Sequence, residues 1–343
     1  MRRPPTELDA AKAERAEQAK AAQAKLKDKA LAQALAENEQ LRQELGVFSS
    51  IGLPVIRSLG KPSCSVGGKR AVACVLASDW HVDEVVKPRV VNGLNEYNPA
   101  IAKVRSETFF RNALKLVDIA AKESEIDTIY LGLLGDFFSG WIHEEGREVN
   151  SMSPVEAAMF AGDMLASGIA YWLKNSKYNI VGDALPGNHG RLTMKIRSAN
   201  VVATSLETVT YARIVERFMG NPRVNISLAD GGIVYRRFFD SFTMRLLHGY
   251  ECKYAGGIGG LTIPLRRMIA GWERGIRANL TALGHFHQYL PGADIIGNGS
   301  LIGFNSFAQR IAASPEPPQQ AFFVVHERDG GRLCTQAPIW VDR

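Results

Sequence analysis

A pattern that recurs five times along this chain of 343 residues constrains its fold more than any other feature. Each time, a short apolar run stops and is followed at once by a carboxylate, an amide or an imidazole. The clearest case is Leu131-Gly-Leu-Leu-Gly-Asp136, in which the run delivers a lone carboxylate. Short apolar runs bounded by glycine are typical of buried strands, and in open α/β sheets ligands bind beyond the carboxyl ends of such strands. The pattern therefore predicts an α/β protein with its site at the strand ends.

The other four runs end in the same way. Residues 72–78 precede Asp79-Trp-His81, residues 179–186 precede Gly187-Asn-His189, residues 242–247 precede His248-Gly249, and residues 280–283 precede Gly284-His285-Phe-His287. Of the seven histidines in the chain, five fall at these ends, which is a strong concentration of ligand atoms. The candidate ligands are Asp79, His81, Asp136, Asn188, His248, His285 and His287, with His189 beside them.

These residue types predict a metal centre. Imidazole combined with carboxylate and amide oxygen suits Mn, Fe, Zn or Ni, and seven ligands are too many for one closed site. Two divalent ions bridged by a carboxylate are the natural arrangement, with Mn²⁺ as the first expectation. Ions about 3.5–4 Å apart clamp the attacking and leaving oxygens of a phosphoryl displacement and lower the pKa of a bridging water. The pattern therefore favours phosphate ester hydrolysis.

The order Asp-x-His, Gly-Asp, Gly-Asn-His, His-Gly and Gly-His-x-His resembles that of the calcineurin-like metallophosphoesterases. All five blocks are present in order over roughly residues 71–300. The resemblance extends to members encoded by bacterial viruses and, more distantly, to the break-repair exonucleases. It implies that one metal is held by Asp79, His81, Asp136 and His287, and the other by Asp136, Asn188, His248 and His285. It also implies that His189 faces the phosphate and that the fold is a four-layer α/β/β/α sandwich.

The chain departs from the patterns of two subfamilies at Ser139, beside the site. Ser139-Gly140-Trp141 stands where the serine/threonine phosphatases carry Asp-Arg-Gly, which argues against a protein phosphatase. The break-repair exonucleases carry a histidine where this chain has Ser139, and His143 could replace it in a substrate-lining loop or be a plain surface residue. Arg191 follows the third block, where its guanidinium would either grip a substrate oxygen or pair with a structural carboxylate.

The chain outside the blocks predicts an extension and several helices. Residues 1–48 are predicted to form a helical arm, in which a coiled-coil seam for a homo-oligomer and a solvated single helix both remain open. Residues 49–70 read as a linker and residues 71–343 as the catalytic domain. A helix over residues 264–278 would place Arg266, Arg267, Arg274 and Arg277 on one arc, either to grip a nucleic acid backbone or simply as a solvated face.

Two acidic residues near the first block, Asp83 and Glu84, have two interpretations. The first expectation is that both are charged loop residues in contact with solvent. The second is that they do not bind metal themselves but orient a histidine that does.

The net charge and the hydropathy of the chain limit which substrates and which cellular compartment are expected. The net charge of +6 and pI near 9.1 favour acidic partners, with DNA as the first candidate for a diester substrate. The chain has no apolar leader segment and no run of 18 apolar residues, which predicts a cytoplasmic protein that spans no membrane. Two alternatives remain open. One is a phosphodiesterase for small or cyclic nucleotides, and the other is a scaffold that keeps the fold without catalysis.

Overall fold

The computed structural model describes residues 70–142, 144–197, 199–253, 260–310, 313–328 and 333–342, with only the backbone described at 144–145 and 333–334. The predicted arm, all but the last residue of the predicted linker, and His143 lie outside the described residues. None of the helices in the described ranges is long and apolar enough to cross a bilayer.

Ten strands form two sheets in the described part of the chain. They are β1 (Arg70–Ala77), β2 (Glu125–Leu133), β3 (Asn179–Ala184), β4 (Val224–Leu228), β5 (Ile233–Phe238), β6 (Phe242–Leu247), β7 (Leu280–Leu283), β8 (Ile295–Gly297), β9 (Gln319–His326) and β10 (Leu333–Trp340). Each of the five apolar runs that precede a candidate ligand is a strand, so that prediction is confirmed.

The sheet topology places the ends of the ligand-bearing strands close together. One sheet has the order β10-β9-β1-β2-β3-β4, in which β1 to β4 are parallel and β9 is antiparallel to β1. The other has the order β5-β6-β7-β8, in which β6, β7 and β8 are parallel. Carboxyl ends of adjacent parallel strands meet at one edge of a sheet. The loops after β1, β2 and β3 are therefore neighbours, as are those after β6 and β7.

Six α-helices accompany the sheets in the described ranges. They are α1 (Pro99–Ala120), α2 (Glu144–Val149), α3 (Pro154–Asn175), α4 (Leu206–Arg217), α5 (Thr262–Trp272) and α6 (Ser306–Arg310). Their starts follow local capping chemistry. The Asn98 side chain accepts a hydrogen bond from the Ile101 amide at 3.0 Å, and Ser153 forms a reciprocal capping box with Glu156.

Side chains alternate along β1 and build a layered core. Ala73 and Val75 join the cluster that α1, α3 and α4 form on the outer face of the large sheet. Cys74 and Leu76 point the other way and pack with side chains of β6 and β7 between the two sheets. Leu265 of α5 covers the outer face of the small sheet. The predicted α/β/β/α sandwich is thus confirmed.

The predicted helix over residues 264–278 is wrong in its extent, because α5 runs from Thr262 to Trp272. Arg274 and Arg277 therefore lie beyond the helix. One cause is Arg245 of β6, which is fully buried and donates to the Glu273 carboxylate at 2.9 Å and to the Ile276 carbonyl at 3.0 Å. These bonds hold residues 273–276 against the sheet, so the chain leaves the helical path.

Candidate metal centre

The strand ends bring the loops of the predicted ligands into contact. The loop after β1 is bonded to the loop after β2, since the amides of Asp79 and Trp80 donate to the carbonyls of Gly135 and Asp136 at 3.0 and 2.9 Å. The loop after β7 is bonded to the loop after β6 through Gly284 N and the His248 carbonyl, 2.8 Å apart. All the predicted ligands thus stand on two joined pairs of loops and on the β3 loop beside them.

Five of the ligand residues adopt a left-handed backbone conformation. They are Asp79 (φ 56°), His81 (φ 46°), Asp136 (φ 55°), His285 (φ 69°) and His287 (φ 57°). This region costs a residue other than glycine about 1–2 kcal/mol, and aspartate and histidine enter it more often than most. Such strain concentrates at functional sites because the surrounding structure must hold it in place.

The ligand atoms form three overlapping groups. Asp79, His81 and His287 make one group, His81, Asp136 and His189 the second, and Asp136, His248 and His285 the third. Within each group the three atoms lie within 4.8 Å of one another. Since His81 and Asp136 each belong to two groups, the groups form a continuous cluster. The first and third groups fall within the two ligand sets that the family resemblance implies.

The buried polar atoms of the cluster fit a cation. The Nδ1 atom of His248 lies 2.6 Å from the Leu134 carbonyl and donates to it, which leaves the lone pair on Nε2. That Nε2 and the Oδ1 of Asn188 are both buried without a hydrogen-bond partner. An orphaned buried polar atom costs about 1–3 kcal/mol, and coordination to a cation is one way in which each of these atoms would be satisfied.

His248 Nε2 lies 2.8 Å from Asp136 Oδ2, although the angles do not suit a hydrogen bond. Burial is the largest single effect and lowers the pKa of His248, but its interactions with Asp136, the charge of Asp79 and the bond to the Leu134 carbonyl together raise this pKa to about 10. The two atoms therefore converge on a point that favours positive charge, which either a proton or a metal ion supplies.

Ser139 and Glu84 fix the orientation of the His81 ring through its Nδ1 atom. Its Nδ1 lies 2.9 Å from Ser139 Oγ, which lies 3.3 Å from the Glu84 carboxylate. Asn305 donates to the other oxygen of Glu84 at 3.0 Å. Fixing the far nitrogen of a ligand histidine in this way sets its tautomer and its direction.

Asp83 holds the backbone that carries Ser139. It is fully buried and accepts from the amides of Ser139 and Gly140 at 2.7 and 3.1 Å and from the side chain of Asn150 at 2.9 Å. Burial raises its pKa to about 6. The expectation that Asp83 and Glu84 are solvated loop charges is therefore wrong, and the alternative of an orienting role describes Glu84.

His189 stands beside the cluster with its ring partly open to solvent. Its amide donates to Asp136 Oδ1 at 2.8 Å, its Nδ1 lies 3.0 Å from the Ser139 carbonyl, and its Nε2 lies 4.0 Å from Asp136 Oδ2. The Nδ1 contact leaves Nε2 as the atom that faces the cluster. The geometry is compatible with both a phosphate-facing residue and a metal ligand.

Arg191 lies next to the same loop. Its Nη1 donates to the Asn188 carbonyl at 2.6 Å and its Nε to the Thr193 carbonyl at 3.2 Å. In the part of the chain that the structure describes it forms no ion pair with a carboxylate, so the structural alternative is not seen there. Its contact with substrate stays a prediction, as does that of His143.

Sequence reasoning missed one buried residue at this site, Glu207. It is the second residue of α4 and is completely inaccessible to solvent. Its carboxylate accepts from the amides of Phe137 at 2.8 Å and Gly187 at 2.7 Å. Burial, helped by the charge of Asp136, raises its pKa to about 8. An acidic residue in the first turn of a helix is ordinary, so the sequence carried no signal for this role.

Comparison with known proteins gives no assignment by sequence. No protein-family model matches the chain, and no curated protein matches it. Among solved structures, a hypothetical protein of Pyrococcus horikoshii is 10% identical with a TM-score of 0.35, covering 79% of this chain and 89% of that one. The calcineurin-like phosphoesterase YfkN of Bacillus subtilis is 10% identical with a TM-score of 0.32, covering 79% and 90%.

The sulfate thiohydrolase SoxB of Thermus thermophilus is 9% identical with a TM-score of 0.29, covering 78% of this chain and 57% of that one. Likenesses this weak carry no conclusion about activity, which must come from the site itself. The fold and the clustered ligands define an α/β/β/α sandwich protein with a candidate two-metal centre.

Proposed function

We propose that this protein is a metal-dependent phosphodiesterase of the calcineurin-like metallophosphoesterase superfamily. The observation that carries the proposal is the chain of three ligand groups joined by His81 and Asp136. Ligands that belong to two groups would let two cations lie side by side, which is the arrangement that in-line phosphoryl displacement needs.

Two divalent ions fit the donors of this cluster. Asp79, His81, Asp136 and His287 would hold one, and Asp136, Asn188, His248 and His285 the other. The imidazole-rich set suits Mn²⁺, Fe, Zn²⁺ or Ni²⁺. Bound there, the ions would supply an activated water and neutralise the charge that develops on the phosphoryl oxygens.

The chain's own residues supply the rest of the chemistry. The Nδ1–H of His189 donates to the Ser139 carbonyl, so the doubly protonated imidazolium would hold a second proton at Nε2 and donate that one to the leaving oxygen. Arg191 uses two of its five N–H groups on backbone carbonyls, so three remain to bind a phosphate oxygen. Both side chains would thereby orient the ester for attack.

A nucleic acid diester is the substrate class we favour. The chain departs from the protein phosphatase pattern at Ser139-Gly140-Trp141, and its net charge is +6. Trp141 is 48% exposed and lies two residues beyond Ser139, which contacts both His81 and His189. An exposed indole so close in the chain to the site suits stacking of a base, a contact worth about 1–3 kcal/mol.

Metal dependence is the direct test of this proposal. Protein stripped with a chelator is expected to be inactive, and added Mn²⁺ is expected to restore turnover, because histidine-rich centres exchange their ions. Turnover would be measured on single-stranded DNA, duplex DNA, cyclic nucleotides and a nitrophenyl diester. Full activity in excess chelator would refute the proposal, and activity confined to cyclic nucleotides would replace DNA with a small substrate.

Contact between DNA and the arginines around α5 is a separate prediction. Arg266 is partly neutralised by Asp294 at 2.7 Å, so the test uses Arg267, Arg274 and Arg277, which are exposed. Replacing all three by glutamine is expected to weaken duplex binding and to reduce the slope of log K against log salt by about 0.9 for each lost phosphate contact.

The matched control removes three exposed positive charges from α1, on the opposite outer layer: Lys103, Arg111 and Lys115. These glutamine substitutions are expected to leave the slope unchanged. Equal slopes for wild type and the Arg267, Arg274 and Arg277 variant would mean that the arginines near α5 are merely solvated.

A further inference from the structure

We propose that Glu207 is a positioning residue that sets the separation of the two loops carrying Asp136 and Asn188. The inference rests on the proposed function, since those loops matter only if they hold metal. Glu207 would touch neither metal nor substrate. It acts through the backbone on either side of the centre.

Each oxygen of the Glu207 carboxylate holds one of the two loops. Oε1 accepts from the amide of Phe137, the residue directly after Asp136, at 2.8 Å. Oε2 accepts from the amide of Gly187, the residue directly before Asn188, at 2.7 Å. A single planar group therefore fixes the distance between the end of β2 and the end of β3.

The two loops are in direct contact, and the space between them is too small for one additional side-chain atom. A Cβ on Gly187 would lie 2.1 Å from Asp136 Oδ1, and a Cβ on Gly135 would lie 2.1 Å from the Gly187 nitrogen. A small change in their separation would displace the Asp136 oxygens directly. A change in the distance between the two loops would therefore also change the position of the Asp136 side chain.

The loop after β3 also packs against Glu207 through Gly190. A Cβ on Gly190 would lie 2.7 Å from Glu207 Cγ and 2.9 Å from Ser205 Oγ. The amide of Leu206 donates to the Gly190 carbonyl at 2.9 Å, which ties the start of α4 to the same loop. Gly190 therefore keeps open the space through which the Glu207 side chain reaches the centre.

The two backbone amides require a side chain that accepts a hydrogen bond at both of its ends, which a carboxyl group can do and an amide cannot. Glu207 forms no ion pair with Lys or Arg in the described ranges, and a buried carboxyl group without a cation is costly. Two backbone N–H donors offset part of that cost. A glutamine has one acceptor oxygen, so it would satisfy one loop and turn its NH₂ group towards the donor of the other.

The experiment compares Mn²⁺ binding, measured by calorimetric titration, with thermal unfolding of the metal-free protein. Glu207→Gln is expected to weaken the binding of at least one ion by about 10–100-fold. Gly190→Ala keeps the carboxylate but displaces it, and is expected to shift affinity in the same direction. Should Glu207→Gln fail to fold, Gly190→Ala decides the question.

Two matched controls are available. Glu216→Gln changes an exposed glutamate on the same helix, and Gly231→Ala adds a Cβ that meets no atom within 4 Å. Both are expected to bind Mn²⁺ as the wild type does. Wild-type affinity in Glu207→Gln and Gly190→Ala, even with a lowered melting temperature, would show a purely structural role and overturn the inference alone. Absence of Mn²⁺ binding in the wild type would overturn the proposed function and this inference with it.

Discussion

Replacing Asp136 with asparagine is expected to reduce turnover to background and to release at least one metal ion. Asp136 is 1% exposed and belongs to two of the three ligand groups, so its charge is shared across the cluster. Uncatalysed phosphate ester hydrolysis is so slow that enzymes accelerate it by up to about 10²¹-fold. Most of that acceleration depends on the metals, because general acid catalysis supplies only about 10²–10⁴-fold.

Asparagine has the same shape as aspartate, which makes the experiment selective for charge. Its side-chain oxygen can still accept from the His189 amide, now at 2.8 Å from Asp136 Oδ1. Metal content by elemental analysis and turnover on a nitrophenyl diester would be measured on the same preparation. A variant that retains both ions and a large part of its turnover would show that Asp136 does not join the two positions.

Replacing His189 with glutamine is expected to lower turnover by about 10²–10⁴-fold on a substrate with a poor leaving group, while both ions stay bound. On a nitrophenyl diester the loss is expected to be much smaller, because that leaving group hardly needs a proton. The comparison across leaving groups isolates the proton-donating role from any effect on binding.

The competing role for His189 gives a different result. Its ring atoms also group with His81 and Asp136, so it has the position of a possible ligand. Loss of metal in His189→Gln, or equal losses on both substrates, would assign His189 to metal binding or to phosphate stabilisation. Metal analysis of the variant therefore accompanies the kinetics.

Local sequence carried enough information to predict the strands and the residues that follow them. Each ligand-bearing run is apolar, short and bounded, and side chains that follow parallel strands are neighbours whatever the details of packing. For that reason Asp79 and Asp136, which follow adjacent strands of one sheet, could be predicted to lie together, whereas the prediction for His285 on the other sheet depended on the shared ligand pattern and the family resemblance. The layers followed from the same pattern with the help of the family resemblance.

The parts that sequence did not predict depend on partners far away in the chain. Glu207 bonds to Phe137, 70 residues earlier, and Glu273 bonds to Arg245, 28 residues earlier. Neither hydrogen bond is associated with a periodic sequence pattern from which it could be predicted. The helix expected through residue 278 ends early in part for this reason, since the buried arginine binds the segment after Trp272 and Gly275 has a low helix propensity.

The left-handed backbone at Asp79, His81, Asp136, His285 and His287 has a consequence for how this protein can change over evolutionary time. At each position glycine would relieve about 1–2 kcal/mol of strain and at the same time delete a ligand. Selection for stability alone would favour that exchange, whereas selection for chemistry would oppose it. A lineage that kept this fold only as a scaffold would gain stability by losing these side chains.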